Sequence, residues 1–257
     1  MNSIKDLSFI SVENQNQDFP RHFHETFCVS LIRSGTEKIE FDNDILYTGK
    51  NGISITNPYE IHANPLIDKD VTVCFDTLYI SGDLMTFLLD KKRITFTNRQ
   101  IHNTAINNQF LNVLELLKTN TPEKVSAPLK NFVKQLYPYS QTATQLYESS
   151  FQNGYLKQLV TYIEQNLENK IYLDELAKIV HLNKFGFTKK FKLLTGMTPM
   201  SYVLMKKVFS AKARFTADCN IADIACLYNF TDIAHFSHCF KKYTGISPKK
   251  YREQLKK

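Results

Sequence analysis

Residues 221–252 read IADIACLYNFTDIAHFSHCFKKYTGISPKKYR, and the marked positions of this stretch occur once before in the chain. Phe187, Phe191, Lys192, Thr195, Gly196, Pro199 and Tyr202 recur as Phe236, Phe240, Lys241, Thr244, Gly245, Pro248 and Tyr251, always 49 positions later. A repeat held in register over so many positions marks a duplicated supersecondary unit. Each copy follows a short helical segment with a small residue, Leu176-Ala177 or Ile224-Ala225, where two helices can cross closely. The copies are too short for a solenoid and too irregular for a coiled coil. They predict two helix-turn-helix units, 173–194 and 221–243, an arrangement suited to reading two successive turns on one face of DNA.

Charge points the same way. From Tyr155 to Lys257 there are 16 lysines and 2 arginines against 8 acidic residues, a surplus of ten; with +7 for the whole chain, the remainder stands at −3. A basic part joined to a mildly acidic one predicts a polyanionic partner for the basic part alone. At 257 residues and 43% hydrophobic content the chain can bury two separate cores. No apolar run approaches the roughly 20 residues that span a bilayer, and the start MNSIKDLSFI has no apolar signal core. The expectation is a cytoplasmic protein without a membrane partner. Cys28, Cys74, Cys219, Cys226 and Cys239 are odd in number and lack C-x-x-C spacing, which predicts thiols rather than disulfides or a zinc site.

The first unit reads as a helix over Leu173–His181, a turn at His181-Leu182, and a second helix over Lys184–Leu194 capped by Asn183. Phe187 and Phe191, four apart, form its apolar back; Lys184, Phe185, Thr188, Lys189 and Lys192 form a front without an acidic residue. In the second unit Asn220 and Asp223 resemble a capping box, Tyr228-Asn229-Phe230 makes the turn, and Thr231 caps the reading helix. Phe236 and Phe240 anchor that helix, leaving Ala234, His235 and His238 outward. Between the units, Thr198-Pro199 opens a bridging helix that runs to about Ala217.

The N-terminal hundred residues predict short strands. Thr26–Ile32, Glu37–Phe41, Ile45–Tyr47, Ile53–Thr56, Val71–Phe75 and Thr77–Ile80 are β-branched or aromatic and separated by turn residues, the pattern of an antiparallel barrel or sandwich. Helical periodicity follows. Ser81 opens a short helix through Leu84, Phe87 and Leu88. Ile106, Phe110, Val113, Leu114 and Leu117 form one stripe, and Pro122 opens another helix through Val125, Leu129, Phe132, Val133 and Leu136. The polar stretch Ser140–Asn153 reads as a linker.

Residues 155–257 resemble the DNA-binding domain of the arabinose-regulator (AraC/XylS) family of bacterial transcription factors, on the strings LDELAKIVHLN, FTKKFKLLTGMTPMSYV and the 32-residue stretch quoted first. The resemblance implies base-edge contacts from Phe185, Thr188, Lys189, Ala234, His235 and His238, and phosphate contacts from Lys192, Lys241 and Lys242. Implied partners are double-stranded DNA, RNA polymerase, a small-molecule effector and a second copy of the chain; an activator role follows. The family pattern also covers an asymmetry: Asn183 to Phe187 is four positions, Thr231 to Phe236 five. Departures are Asn229 for the usual glycine, His238 for a common arginine, Tyr172 for a Ser/Thr cap, and Gly186 inside a reading helix, at a cost of ~1 kcal/mol relative to alanine.

His22-x-His24, Gly35, and the run from Gly52 through Pro58 to His62 resemble the two halves of a cupin barrel, a frequent effector domain in that family. Metal-dependent cupins converge three histidines and a glutamate on an ion. Here Phe27 and Cys28 occupy the glutamate's place, so His22, His24, Glu60 and His62 read as an effector pocket, with no metal and no cofactor. The expected fold is thus α+β and multidomain: a cupin-like β-barrel over 1–103, a helical linker and dimerisation segment over 104–154, and an all-α domain with two helix-turn-helix units over 155–257. The competing reading, a metal-dependent cupin enzyme with an appended DNA-binding region, needs a bound ion; the preferred one assigns no catalysis.

Overall fold

A computed structural model describes residues 7–68, 70–119, 122–143 and 154–256. They form two compact units, one from 7–18 and 23–143, the other from 19–22 and 154–256.

The first unit is built on an antiparallel five-stranded sheet of β1 (Leu7–Gln15), β8 (Val73–Ser81), β3 (Thr26–Ser34), β6 (Ile53–Thr56) and β10 (Gln100–Ile101), in that order. β4 (Thr36–Glu40) pairs with β5 (Ile45–Gly49) and β7 (His62–Asn64) in a second sheet. Register sorts the side chains. Val29 lies opposite Leu78 and Ile55, whereas Ser30 lies opposite Thr77 and Ser54. Because strand side chains alternate, one face of the large sheet carries Phe27, Val29, Leu31, Ile53, Ile55 and Leu78. That face shares one apolar core with α1 (Gly82–Leu88), α2 (Thr104–Lys118) and α3 (Pro122–Leu136), through Met85, Phe110, Val113, Leu129 and Phe132. The other face carries Cys28, Ser30, Ser54, Thr56, Thr77 and Tyr79 and looks toward the second sheet, where Ser54 Oγ donates to Glu37 Oε2 at 2.5 Å. This is the sheet-rich, barrel-like architecture expected.

The helical stripes fall largely as read. Ser81 caps α1 by accepting from the Leu84 N–H at 3.1 Å, although Phe87 points outward, 61% exposed. Ser140–Thr142, expected in a linker, instead forms β11 and pairs with β9 (Ile94–Phe96); 144–153 lie outside the described residues. No disulfide forms among the described residues, and none of their helices is long and apolar enough to cross a membrane.

The second unit is helical: α4 (Tyr155–Gln165), α5 (Leu173–Ile179), α6 (Lys184–Thr195), α7 (Pro199–Ala213), α8 (Ile221–Leu227), α9 (Ile233–Thr244) and α10 (Pro248–Gln254), together with the short strand β2 (Phe19–His22).

Candidate functional site: two reading helices and a polar inner face

Each repeated residue has a duplicated task. Phe187 and Phe191 on α6 are fully buried, as are Phe236 and Phe240 on α9. The Thr195 hydroxyl donates to the Phe191 carbonyl at 2.8 Å and reaches the Met197 carbonyl at 3.0 Å; Thr244 does the same to Phe240 and Ile246 at 2.7 and 3.1 Å. Gly196 and Gly245 then end their helices at φ +68° and +83°, a backbone region open chiefly to glycine, with the amide returning to the Lys192 or Lys241 carbonyl at 2.8 Å. Pro199 and Pro248 open the next helices, and Tyr202 and Tyr251 each set their ring 5.6 Å from the second phenylalanine. The offset of 49 is therefore a duplicated helix, C-cap and following helix.

The turns also match. His181 and Asn229 both take positive φ, +54° in each case, so Asn229 serves where glycine is usual. Asn183 caps α6, accepting from the Gly186 N–H at 2.8 Å. In the second unit the cap is Asp232 and not the expected Thr231: its Oδ1 accepts from the His235 N–H at 2.7 Å. With Asp232 as cap both cap-to-phenylalanine intervals are four, and the expected asymmetry disappears. Asn220 caps α8 through the Ala222 N–H at 3.0 Å. Tyr172 offers α5 no side-chain cap; Glu175 accepts from the Tyr172 N–H at 3.2 Å.

The outward faces carry the expected residues in unequal settings. Phe185 is 82% exposed, an unusual state for phenylalanine, and Lys189 is exposed beside it. Thr188 is half-buried and its hydroxyl returns to the Lys184 carbonyl at 2.8 Å, while Lys184 pairs with Asp174 at 2.7 Å. On α9, Ala234 and His238 are exposed; His235 is half-buried with its ring 5.5 Å from Phe230. Lys192 and Lys242 are exposed and Lys241 is half-buried.

Sequence reading missed what ties the two halves of this unit together. Lys207 on α7 is buried, and its Nζ donates at 2.8 Å to both the Tyr228 carbonyl, at the end of α8, and the Asn169 carbonyl, in the loop before α5. Burial lowers its pKa. Asn229 Nδ2 adds a bond to the Glu168 carbonyl at 2.9 Å, and Arg214 pairs with Glu168 at 3.3 Å. The turn of the second helix-turn-helix is thereby fixed to the loop that leads into the first.

In the first unit His24 and His62 stand with ring centroids 5.5 Å apart, and His24 meets Tyr79 edge-on at 5.3 Å. His62 Nδ1 bonds the Glu60 carbonyl at 2.8 Å. Glu60 itself is engaged elsewhere: it pairs with Arg99 at 2.9 Å and accepts from the Asn57 N–H at 3.2 Å, and Arg99 lies 4.2 Å above the Phe41 ring. Burial raises the Glu60 pKa and Arg99 opposes the rise. His22 belongs to the second unit; its Nδ1 is 2.7 Å from the Pro20 carbonyl and its ring 6.4 Å from Phe209. Desolvation holds its pKa down at about 4, against that backbone bond, so the ring is neutral.

Sequence reading also missed Glu37. It is 5% exposed, and its carboxyl accepts from Ser54 Oγ and from Asn64 Nδ2 at 2.5 and 3.0 Å. Asn64 and His62, two apart on β7, share the inner face with it. Burial raises the Glu37 pKa, with Ser54 and Asn64 acting against the rise.

Comparison with known proteins matches both units. The profile of the AraC-like ligand binding domain covers residues 5–133, and that of a helix-turn-helix domain covers 176–254. The chain is 32% identical over 115 residues to the transcriptional activator AarP of Providencia stuartii, covering 44% of this chain and 82% of that protein. It is 24% identical over 251 residues to the transcriptional activator RhaS of Yersinia pestis, covering 92% and 90%. Among solved structures, ToxT from Vibrio cholerae shares the fold with a TM-score of 0.54 at 14% identity, over 98% of both chains.

Proposed function

The chain belongs to the AraC family of transcription regulators, and from that premise we propose how its residues divide the work. It is an effector-responsive DNA-binding regulator. Base edges are read by Phe185, Thr188 and Lys189 of α6 and by Ala234, His235 and His238 of α9, in two successive major grooves. Lys192, Lys241 and Lys242 hold phosphates and set the register without specifying sequence. The observation that carries this is the duplication itself: two helices each capped by a side chain four positions before the first anchoring phenylalanine and ended by a glycine, neither containing an acidic residue. The descriptions of AarP and RhaS as activators support activation. This reading takes RNA polymerase as a further partner, places the protein in the cytoplasm and assigns it no catalytic step. A second copy of the chain binds through the helical segment of α2 and α3.

The effector is held in the first unit by the face that carries His24, Glu60 and His62. It regulates by preferring one state of the protein, since a ligand shifts an equilibrium only by its difference in affinity between states. Selection of bound duplexes from a random DNA library tests the DNA assignment. Enrichment of a site with two conserved half-sites is expected. Uniform recovery of all sequences would leave only nonspecific phosphate binding and refute it.

A further inference from the structure

We infer that the inner face of the first unit selects a small organic cation, an amine or a guanidinium, with Glu37 as its counter-charge. This rests on the reading of that unit as the effector-binding part and names the chemistry of its ligand.

The inner face is polar where a core would be apolar. Ser30, Ser54, Thr56, Thr77, Glu37 and Thr48 are each at most 8% exposed. Buried polar groups cost free energy unless they find partners. Ser30 and Thr77 satisfy one another at 2.7 Å. Thr48 and Thr56 do not: their hydroxyls are buried with no partner among the described residues. Thr48 lies directly across from Glu37 in the β4–β5 register, and Thr56 is two residues from Ser54 on one face of β6. Two open hydroxyls thus lie on the same inner face as the Glu37 carboxyl.

Cations answer two other carboxylates of this unit, the buried Asp76 and the half-buried Glu60. Asp76 has Arg33 at 2.8 Å and Lys118 at 3.8 Å, and Glu60 has Arg99 at 2.9 Å. Glu37 departs from that pattern. Its bonds come from a hydroxyl and an amide, both neutral, and they use two of the roughly four acceptor positions of a carboxylate. A buried carboxylate is stable when paired, so a cationic ligand completes here what arginine or lysine completes at Asp76 and Glu60. The Thr48 and Thr56 hydroxyls can accept its remaining N–H groups. An anionic ligand would meet Glu37 with like charge, and a neutral polyol would leave it uncompensated. The half-buried Tyr79 ring, on the same face by register, adds an aromatic surface suited to a cation.

The test is thermal unfolding of the full chain with putrescine and agmatine as cations, butyrate and oleate as anions, sorbitol as a polyol, and a low-molecular-weight cell extract. At least one cation should raise the Tm with concentration. Glu37→Gln, if it melts cooperatively, should bind that cation roughly tenfold more weakly or worse. If the variant does not fold, Thr48→Val and Thr56→Val decide: weaker cation binding in either supports the assignment, and unchanged binding in both refutes it. An undiminished cation shift in Glu37→Gln, or stabilisation by the anions or the polyol but not the cations, overturns the cation assignment. Silence to all five compounds with a response to the extract also overturns it, while leaving the effector reading intact. Silence to the extract as well overturns both.

Discussion

The Lys207 ammonium on α7 donates to the Tyr228 carbonyl at the end of α8 at 2.8 Å. The same nitrogen holds the Asn169 carbonyl, so one side chain joins the end of α8 to the loop before α5. α7 spans 15 residues, about 22 Å of helix, and sets how far apart the two halves lie. Lys207 fixes how they are turned.

Lys207→Met should therefore lower stability by about 2–3 kcal/mol, because it removes two charge-assisted bonds and leaves the Tyr228 carbonyl unanswered in a buried place. Chemical denaturation followed by helical signal measures this. Lys207→Arg, whose planar head does not match the ammonium geometry, should recover only part of the loss. An unchanged midpoint in Lys207→Met would mean that the tie has no energetic weight.

Capping gives a sharper comparison between neighbours. Asp232→Ala should cost about 1 kcal/mol, and Thr231→Ala close to nothing, since only Asp232 accepts from an orphan amide of α9. Equal effects from the two substitutions would return the cap to Thr231.

These cases show what sequence could and could not deliver. The repeat was legible because each marked residue meets a local demand: threonine for two carbonyls, glycine for a positive φ, proline for a helix start. Thr231 and Asp232 are adjacent and both are good caps, so residue type alone could not choose between them; the bond to the His235 N–H does. In β4, Glu37 lies in phase with buried Ile39, while Lys38 and Glu40 point outward and pair at 2.6 Å. That phase was readable. A charged residue on a strand is ordinarily assigned to solvent, and what reverses the assignment is Ser54 and Asn64, 17 and 27 positions away. Lys207 was unreadable for the same reason, its partners being 21 and 38 positions distant.

Acid should weaken the protein through His22. Its folded pKa, about 4, lies below the unfolded value near 6.5, so between those limits the unfolded chain binds more protons. Stability is therefore unaffected above about pH 6.5, falls as pH drops through the window, and levels off below about 4, with a total loss of about 3 kcal/mol. Melting temperatures of wild type and His22→Gln from pH 7.5 to 4.5 read this out; the variant should show the shallower decline. Parallel curves would refute it.

Reading and holding residues should separate in binding data. Lys189→Ala should lose about 1–3 kcal/mol of discrimination at particular base positions, and Lys242→Ala should weaken all sequences alike while reducing the salt slope by about 1. Titrations against single-base operator variants at several salt concentrations distinguish the two. Identical profiles would contradict the division of faces.

We propose that α6 and α9 read two successive major grooves from one face. Methylation interference with the full chain on a selected operator tests it most directly. Two major-groove patches are expected, centred about 10–10.5 base pairs apart on the same side of the duplex, with Lys189→Ala altering one and His238→Ala the other. A single patch, or two patches on opposite sides of the helix, would contradict it.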